Sequence, residues 1–282
     1  MKHSFYTDRQ YYLRPNFPHI EKGLIGIGGK PFVSFDSHFS EDKFEILHNE
    51  ILMGLSRADS FDHGLILGEI PPEFADQYKT IILEAELFGN IEKYDPTGVH
   101  RKNLDSFTTN NEKRRYCYFA MGAFSPWYGV YYLIRNDFRK KTESTGTQID
   151  WEKGIEHFPQ LKAFILGLQE SIFESLGRVL FFISYPNVET IIHRDYLRED
   201  HKDHCINFFF GEGRPAYIYD EKNKLKHYLP KTCKSYFFNN RDYHGVDAEP
   251  KFRYTLRVDG TFKPQIAESI GLSDGWIRVN SA

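Results

Sequence analysis

Between residues 179 and 258 the chain is a train of short aromatic and β-branched runs, each closed by a turn signal. Val179–Tyr185 stops at Pro186–Asn187, and Cys205–Phe210 stops at Gly211-Glu212-Gly213. Ala216–Asp220 and Leu225–Leu229 flank the polar stretch Glu221–Lys224 and read as a hairpin. Glu189–His193, Ser235–Asn239 and Arg253–Val258 complete the set. Side chains of this kind suit a pleated surface, and strands with turn signals roughly every 8–12 residues point to a β-sandwich or barrel. Tyr116–Phe119 and Val130–Ile134, on either side of Ser125-Pro126-Trp127, are expected to add strands to the same sheets.

The rest of the chain supplies helices. Ser40 is placed to cap a helix with Glu41 and Asp42 in its first turn, and Phe44, Leu47, Ile51, Leu52 and Leu55 are expected to line one face. A second helix is expected from Pro71–Pro72 through Tyr78, Ile82 and Leu83 to about Phe88. A third is expected over 159–176, with Phe164, Ile165, Leu168 and Ile172 buried and Gly177 as its stop. The expected organisation is therefore an α/β section over 1–105, a mainly β core with flanking helices over 106–262, and a tail over 263–282.

Composition narrows the class. With 282 residues, 40% hydrophobic and 16% aromatic, the chain can bury a large core. The formal charge of −3 and the absence of a long basic run disfavour a nucleic-acid groove. Cys117, Cys205 and Cys233 are odd in number and widely spaced, which suggests neither a disulfide framework nor a zinc site and fits a reducing compartment. The N-terminus has no apolar signal core and no run of 18 apolar residues occurs, so a soluble cytoplasmic protein with no membrane partner is expected.

The chemistry concentrates near the C-terminus. His193 and Asp195 form a His-x-Asp pair that would face one side of a regular strand. His244 follows 49 residues after Asp195, behind the polar turn Asn239-Asn240-Arg241-Asp242, where a ligand at a barrel rim could sit. Two neutral imidazoles and a carboxylate can hold one face of an iron(II) octahedron and leave three positions open for a co-substrate and O2. With 12 histidines in the chain, a surface His-x-Asp and a loop histidine are the bland alternative. Arg253, nine residues after His244, is a fixed cation suited to the far carboxylate of a metal-chelated diacid. Arg253, Thr255 and Arg257 alternate along one strand and so share a face. Arg257 could be a second carboxylate partner or a rim charge, and Asn207 could touch the same ligand or serve a cross-strand structural role.

The order of strand, His193-Arg194-Asp195, strand, hairpin, apolar strand, His244 and Arg253-Tyr254-Thr255 resembles the C-terminal half of the Fe(II)/2-oxoglutarate-dependent oxygenases. The stretch from Pro230 to His244 is similar to the segment before that family's distal histidine, with Cys233 where a turn glycine is usual. The resemblance spans residues 177–262. It implies a double-stranded β-helix (jelly-roll, cupin-like) core, with Fe(II) on His193, Asp195 and His244. It further implies 2-oxoglutarate as co-substrate, its distal carboxylate on Arg253 with help from Thr255, and O2. The carboxylate of Asp195 fills the place that related halogenases leave for halide, which implies hydroxylation. His193-Arg-Asp-Tyr-Leu197 and Phe252–Asp259 also look like the aspartyl/asparaginyl β-hydroxylases and their proline-hydroxylating relatives, suggesting an amino acid or derivative as substrate. A protein, nucleic-acid or lipid-linked sugar substrate is the alternative, and a metal-binding barrel without catalysis is a third reading.

Other motifs carry less. His193-Arg-Asp195 lacks the asparagine five residues on that a kinase catalytic loop needs, since Asp200 stands there. Gly26-Ile-Gly28-Gly29-Lys30 lacks the first glycine and the Ser/Thr of a phosphate loop and reads as a turn. His201 and His204 could bind a second metal, but a solvated loop explains them better. Arg114 and Arg115 read as surface charges, and the aromatic run Tyr116–Tyr132 as core, with Trp127 or Tyr128 available to line a pocket.

Overall fold

The computed structural model describes residues 23–58, 64–69, 74, 116–121, 129–135, 149–184, 186–187, 189–195 and 204–272. Its strands are β1 (Val33–Ser34), β2 (Gly64–Glu69), β3 (Tyr116–Met121), β4 (Gly129–Ile134), β5 (Phe173–Ser184), β6 (Thr190–Asp195), β7 (His204–Phe208), β8 (Ala216–Asp220), β9 (Leu225–Tyr228), β10 (Ser235–Phe237), β11 (Tyr243–Val246) and β12 (Arg253–Phe262). The α-helices are α1 (Glu41–Leu55), α2 (Pro159–Ser171) and α3 (Pro264–Ser269). For residues 64–69 and 116–121 the description covers the backbone. The helix expected over Pro71–Phe88 lies outside the described residues, as do Arg114, Arg115, Trp127, Tyr128 and His201. No helix among the described residues is long and apolar enough to cross a membrane.

The strands form two six-stranded sheets, ordered β1-β10-β7-β12-β5-β4 and β3-β2-β6-β11-β8-β9, and every pairing is antiparallel. From β5 onward the chain alternates between sheets: β5 in the first, β6 in the second, β7 back in the first, β8 and β9 in the second, then β10, β11 and β12 in turn. β1 and β2, both before residue 105, also belong to the sheets. β3 and β4 fall in different sheets.

One face of the first sheet carries the main core. Phe181 and Ile183 on β5 and Tyr254, Leu256 and Val258 on β12 pack with Phe44, Leu47 and Ile51 of α1 and Leu161, Ile165 and Leu168 of α2. Because strand side chains alternate, the residues between them, such as Ser184, Thr255 and Arg257, face the other way. A smaller cluster joins Ala216 and Ile218 of β8 to Tyr236 of β10 and Phe238, and so bridges the two sheets. The space between the sheets is where the polar residues of β5 and β12 point.

Several local expectations need correction. Ser40 is the N-cap of α1 but its side chain makes no capping bond. Leu52 is 39% exposed, because the buried stripe runs Phe44, Leu47, Ile51, Leu55 and position 52 lies a further 100° round the helix. The third helix ends at Ser171, not 176. From Phe173 the chain pairs with β12, and that apolar ladder outweighs the helical periodicity. Gly177 lies inside β5, where a Cβ would come within 3.3 Å of the Asp259 backbone. His244 does follow the polar turn, and it lies within β11, a strand of four residues that was not expected there.

Candidate metal site

β6 and β11 are neighbours in the second sheet, and His193 is the register partner of His244. β8 flanks β11 on its other side, with Ile218 opposite His244. Ile218 belongs to the cluster between the sheets, so both imidazoles face the same interior. Their ring centroids are 4.4 Å apart, and the His244 ring also lies 4.6 Å from that of Phe238. His193 is buried.

Tautomer follows from the hydrogen bonding. His244 Nδ1 lies 3.0 Å from the Asp242 carbonyl oxygen. A carbonyl only accepts, so Nδ1 carries the proton and Nε2 the lone pair, the form a metal ligand needs. Asp242 is itself anchored. Its carboxylate accepts from the backbone N–H groups of Ile25 and Gly26, both at 2.7 Å. Burial pushes this carboxyl up to about 6, against the pull of those two donors. Gly26 has φ +64°, and a Cβ there would meet the Lys30 carbonyl oxygen at 2.5 Å, so the tight Ile27–Lys30 turn requires glycine. The glycine run read as a turn is thus a strap fastened to Asp242, behind His244.

Asp195 closes β6 and pairs with Gly68 of β2; its side chain lies outside the described residues. Among the described residues no group of three His, Cys, Asp or Glu side chains is placed to hold a metal. The donors that are described fit one nonetheless: two imidazoles meet across one register, tilted by 52°, one with its Nδ1 proton held from behind.

The basic residues separate into distinct roles. Arg253 donates through Nε to Glu249 at 2.9 Å and through NH2 to Glu212 at 3.1 Å, with its side chain 15% exposed. Hydrogen bonding to Glu249 leads the effects that hold its pKa above the usual value. Arg257 is buried and donates to Asp259 Oδ1 at 2.6 Å, while Arg178 donates to Oδ2 at 2.9 Å. Burial alone would raise the Asp259 carboxyl, but the two guanidinium groups prevail and hold it below its usual value. Arg257 is therefore part of a buried ion pair, not a charge at the rim. Asn207 is buried opposite Arg257 and Tyr236 across the ladders, with Nδ2 at 3.9 Å from Cys205 Sγ. Thr255 accepts from Arg214 NH1 at 2.8 Å.

Reading the sequence alone missed Arg214, Ser184, Asp242 and Asp259. Asp259 was within reach, since it continues the alternation of Arg253, Thr255 and Arg257 by one step. Arg214 gave no signal, being a charge in a Gly-Glu-Gly-Arg-Pro turn. His204 is no second metal ligand by its surroundings: it is buried, stacked on Phe262 at 4.6 Å, and its Nδ1 accepts the Phe262 backbone N–H. Burial lowers its pKa to about 4, so it is neutral.

No family model and no curated protein matches the chain. Solved structures similar to it include a prolyl-4-hydroxylase from Pseudomonas putida, 13% identical over 48% of this chain and 71% of that one, with a TM-score of 0.30. They also include an oxidoreductase of the 2OG-Fe(II) oxygenase family from Burkholderia pseudomallei, at 10% identity, 47% and 67% coverage and a TM-score of 0.33. A third is the viral collagen prolyl hydroxylase of Paramecium Bursaria Chlorella virus-1 in its 2OG complex, at 11% identity, 83% and 99% coverage and a TM-score of 0.34. At such scores these likenesses carry no conclusion about this chain.

Proposed function

We propose that this chain is an Fe(II)- and 2-oxoglutarate-dependent oxygenase that hydroxylates an unactivated C–H of a small polar substrate, an amino acid or derivative. The observation that carries the reading is the pairing of His193 with His244 across β6 and β11 on the inward face. Asp195, two residues along β6, is the natural third ligand by strand alternation. The alternation of strands between two antiparallel sheets supports a double-stranded β-helix as the core.

In this reading His193, Asp195 and His244 hold the metal, and the Asp242 carbonyl keeps His244 in its ligating tautomer. Iron(II) bound there supplies the redox chemistry that couples O2 and the decarboxylation of 2-oxoglutarate to succinate and CO2 with oxygen insertion into the substrate. The interior face of β5, β7 and β12 does the orienting. It offers buried guanidinium, hydroxyl and amide groups to a polar ligand, which supports a small charged substrate over an apolar one. Phe238 and Tyr236, between that face and His244, limit water around the reacting atoms.

The test is an anaerobic titration of apo-protein with Fe(II) and then 2-oxoglutarate, followed by visible absorption. A weak charge-transfer band that needs both components is the expected result. Fe(II) binding with no band on adding the keto acid would sink the reading and leave a metal-binding barrel. Asp195→Ala should abolish succinate release; full activity in that variant would remove Asp195 from the ligand set.

A further inference from the structure

β9 ends the second sheet, with β8 as its one neighbour among the described strands. The bond from the Leu229 N–H to the Ala216 carbonyl, at 2.9 Å, sets the phase of the pair. Bonded residues alternate along an antiparallel ladder. Leu225 and His227 therefore bond to β8, while the N–H and C=O groups of Lys226 and Tyr228 face away from the sheet. Edge strands are normally guarded by a proline, a bulge or a lysine reaching across the edge. β9 has no proline, and its register with β8 runs without a shift. Its lysine is folded back instead: Lys226 Nζ lies 4.0 Å from the Tyr217 ring centroid and donates to Asp247 Oδ1 at 2.8 Å. The Tyr228 hydroxyl donates to the other oxygen of Asp247 at 2.6 Å. Both side chains are thus held on the sheet face. The edge itself is open, with Leu225 51% and Tyr228 48% exposed.

Charge selects what fits there. Lys222 and Lys224 in the hairpin turn and Lys231 beyond β9 are exposed. The carboxylates nearby are engaged or half-buried. Asp220 accepts from the Lys222 and Asn223 N–H groups and from Asn223 Nδ2, and Asp247 accepts from Lys226 and Tyr228. Glu189 and Glu221 are half-buried. The exposed charges around the edge are therefore lysines. A second copy of the chain is disfavoured. Antiparallel self-pairing about His227 would set Lys222 and Lys224 on either side of Lys231 of the second copy, and like charges across a ladder destabilise it. We propose that the β9 edge is a docking site for an extended acidic segment of a partner protein, which adds to the second sheet as a further strand. β11 and β8 separate this edge from β6, so the surface is independent of the oxygenase reading.

The probe is an acetylated and amidated octapeptide of alternating glutamate and valine, titrated into the full chain at low salt and followed by amide NMR and hydrogen exchange. The Lys226 and Tyr228 amides should gain protection as peptide is added. The His227 amide, already bonded to β8, should change little. Lys222→Glu combined with Lys224→Glu should weaken binding by roughly tenfold. Lys226→Pro removes one outward donor at an edge position, where proline is tolerated, and should weaken binding by about the same factor. Lys226→Ala, which keeps that donor, should bind within about threefold of wild type. If Lys226→Pro does not fold, the fully N-methylated peptide, of unchanged charge, makes the same test from the other side. Equal binding of the methylated peptide would mean a general attraction to lysines and overturns the proposal. So does a peptide that leaves the Lys226 and Tyr228 amides unprotected. Protection of those amides without peptide, rising with protein concentration, would make the occupant a second copy and overturns the acidic partner.

Discussion

Asp242 serves two neighbours at once. Its carbonyl fixes the proton of His244 and its carboxylate holds the strap at Ile25 and Gly26. Outer partners of metal ligands commonly account for roughly 10–100-fold in metal affinity. Asp242→Ala keeps the carbonyl but releases the strap, so it should let the carbonyl drift, weaken Mn(II) binding by at most that order, read by EPR titration, and shift the His244 ring nitrogens toward a mixed tautomer in 15N NMR. An unchanged tautomer would show that the strap acts on stability alone. His204 makes a separate prediction. Its folded pKa of about 4 lies below the unfolded value of 6.5, so the unfolded chain binds the extra proton first as pH falls. The stability is complete above pH 6.5 and is lost on the way down to about 4, amounting to about 3 kcal/mol in all. Denaturant unfolding at pH 7 and pH 4.5 would measure it, and His204→Gln should flatten the difference. At this scale the sequence pointed to His193 and His244 together, and the structure does bring them side by side. It was silent where a partner came from a turn, as for Arg214 and Asp242, because long-range contacts leave no local period.

At the scale of elements, short strands were the hardest to see. β11 has four residues and a glycine, yet it brings His244 to His193. Gly245 cannot accept a side chain cheaply: a Cβ would stand 2.5 Å from the Tyr217 hydroxyl and 3.0 Å from the Thr190 carbonyl. Gly245→Ala should therefore push β11 off β6 and weaken metal binding more than it lowers the melting temperature. A loss of stability with full metal affinity would mean the strand absorbs the strain away from the histidines. Gly54→Ala tests the helical layer, because its Cβ would overlap the Phe158 ring. Overpacking there should cost roughly 1–3 kcal/mol in unfolding free energy with metal binding intact. The third helix shows why periodicity misled: Phe173 and Leu176 continue an apolar pattern compatible with α2, and pairing with β12, 80 to 90 residues downstream, decides for a strand.

At the scale of the molecule, α1 and α2 pack, among the described residues, on one face of the first sheet. β5 and β12 share the longest ladder and sit beneath α1 and α2. Their amides should be the last to exchange with deuterium. β8 and β9, remote from the helices, should exchange earlier; the reverse order would place the stable nucleus in the other sheet. The general architecture was legible because the strand train between 179 and 258 is dense with turn signals. The involvement of β1 and β2 was not, since two short segments before residue 105 find their partners only in β10, β3 and β6.

The ladder between β5 and β12 also sets a timetable. Ser184 meets Arg253, 69 residues further along the chain, and a contact of such separation must wait until the later partner exists. On the ribosome His193 and His244 emerge before β12, the strand that joins the two halves of the first sheet. A nascent chain stopped just short of residue 253 would carry His193, Asp195 and His244 and lack the wall behind them. β12, the last strand among the described residues, joins β7 to β5 in the first sheet, so under the proposed function metal loading is expected to follow its synthesis.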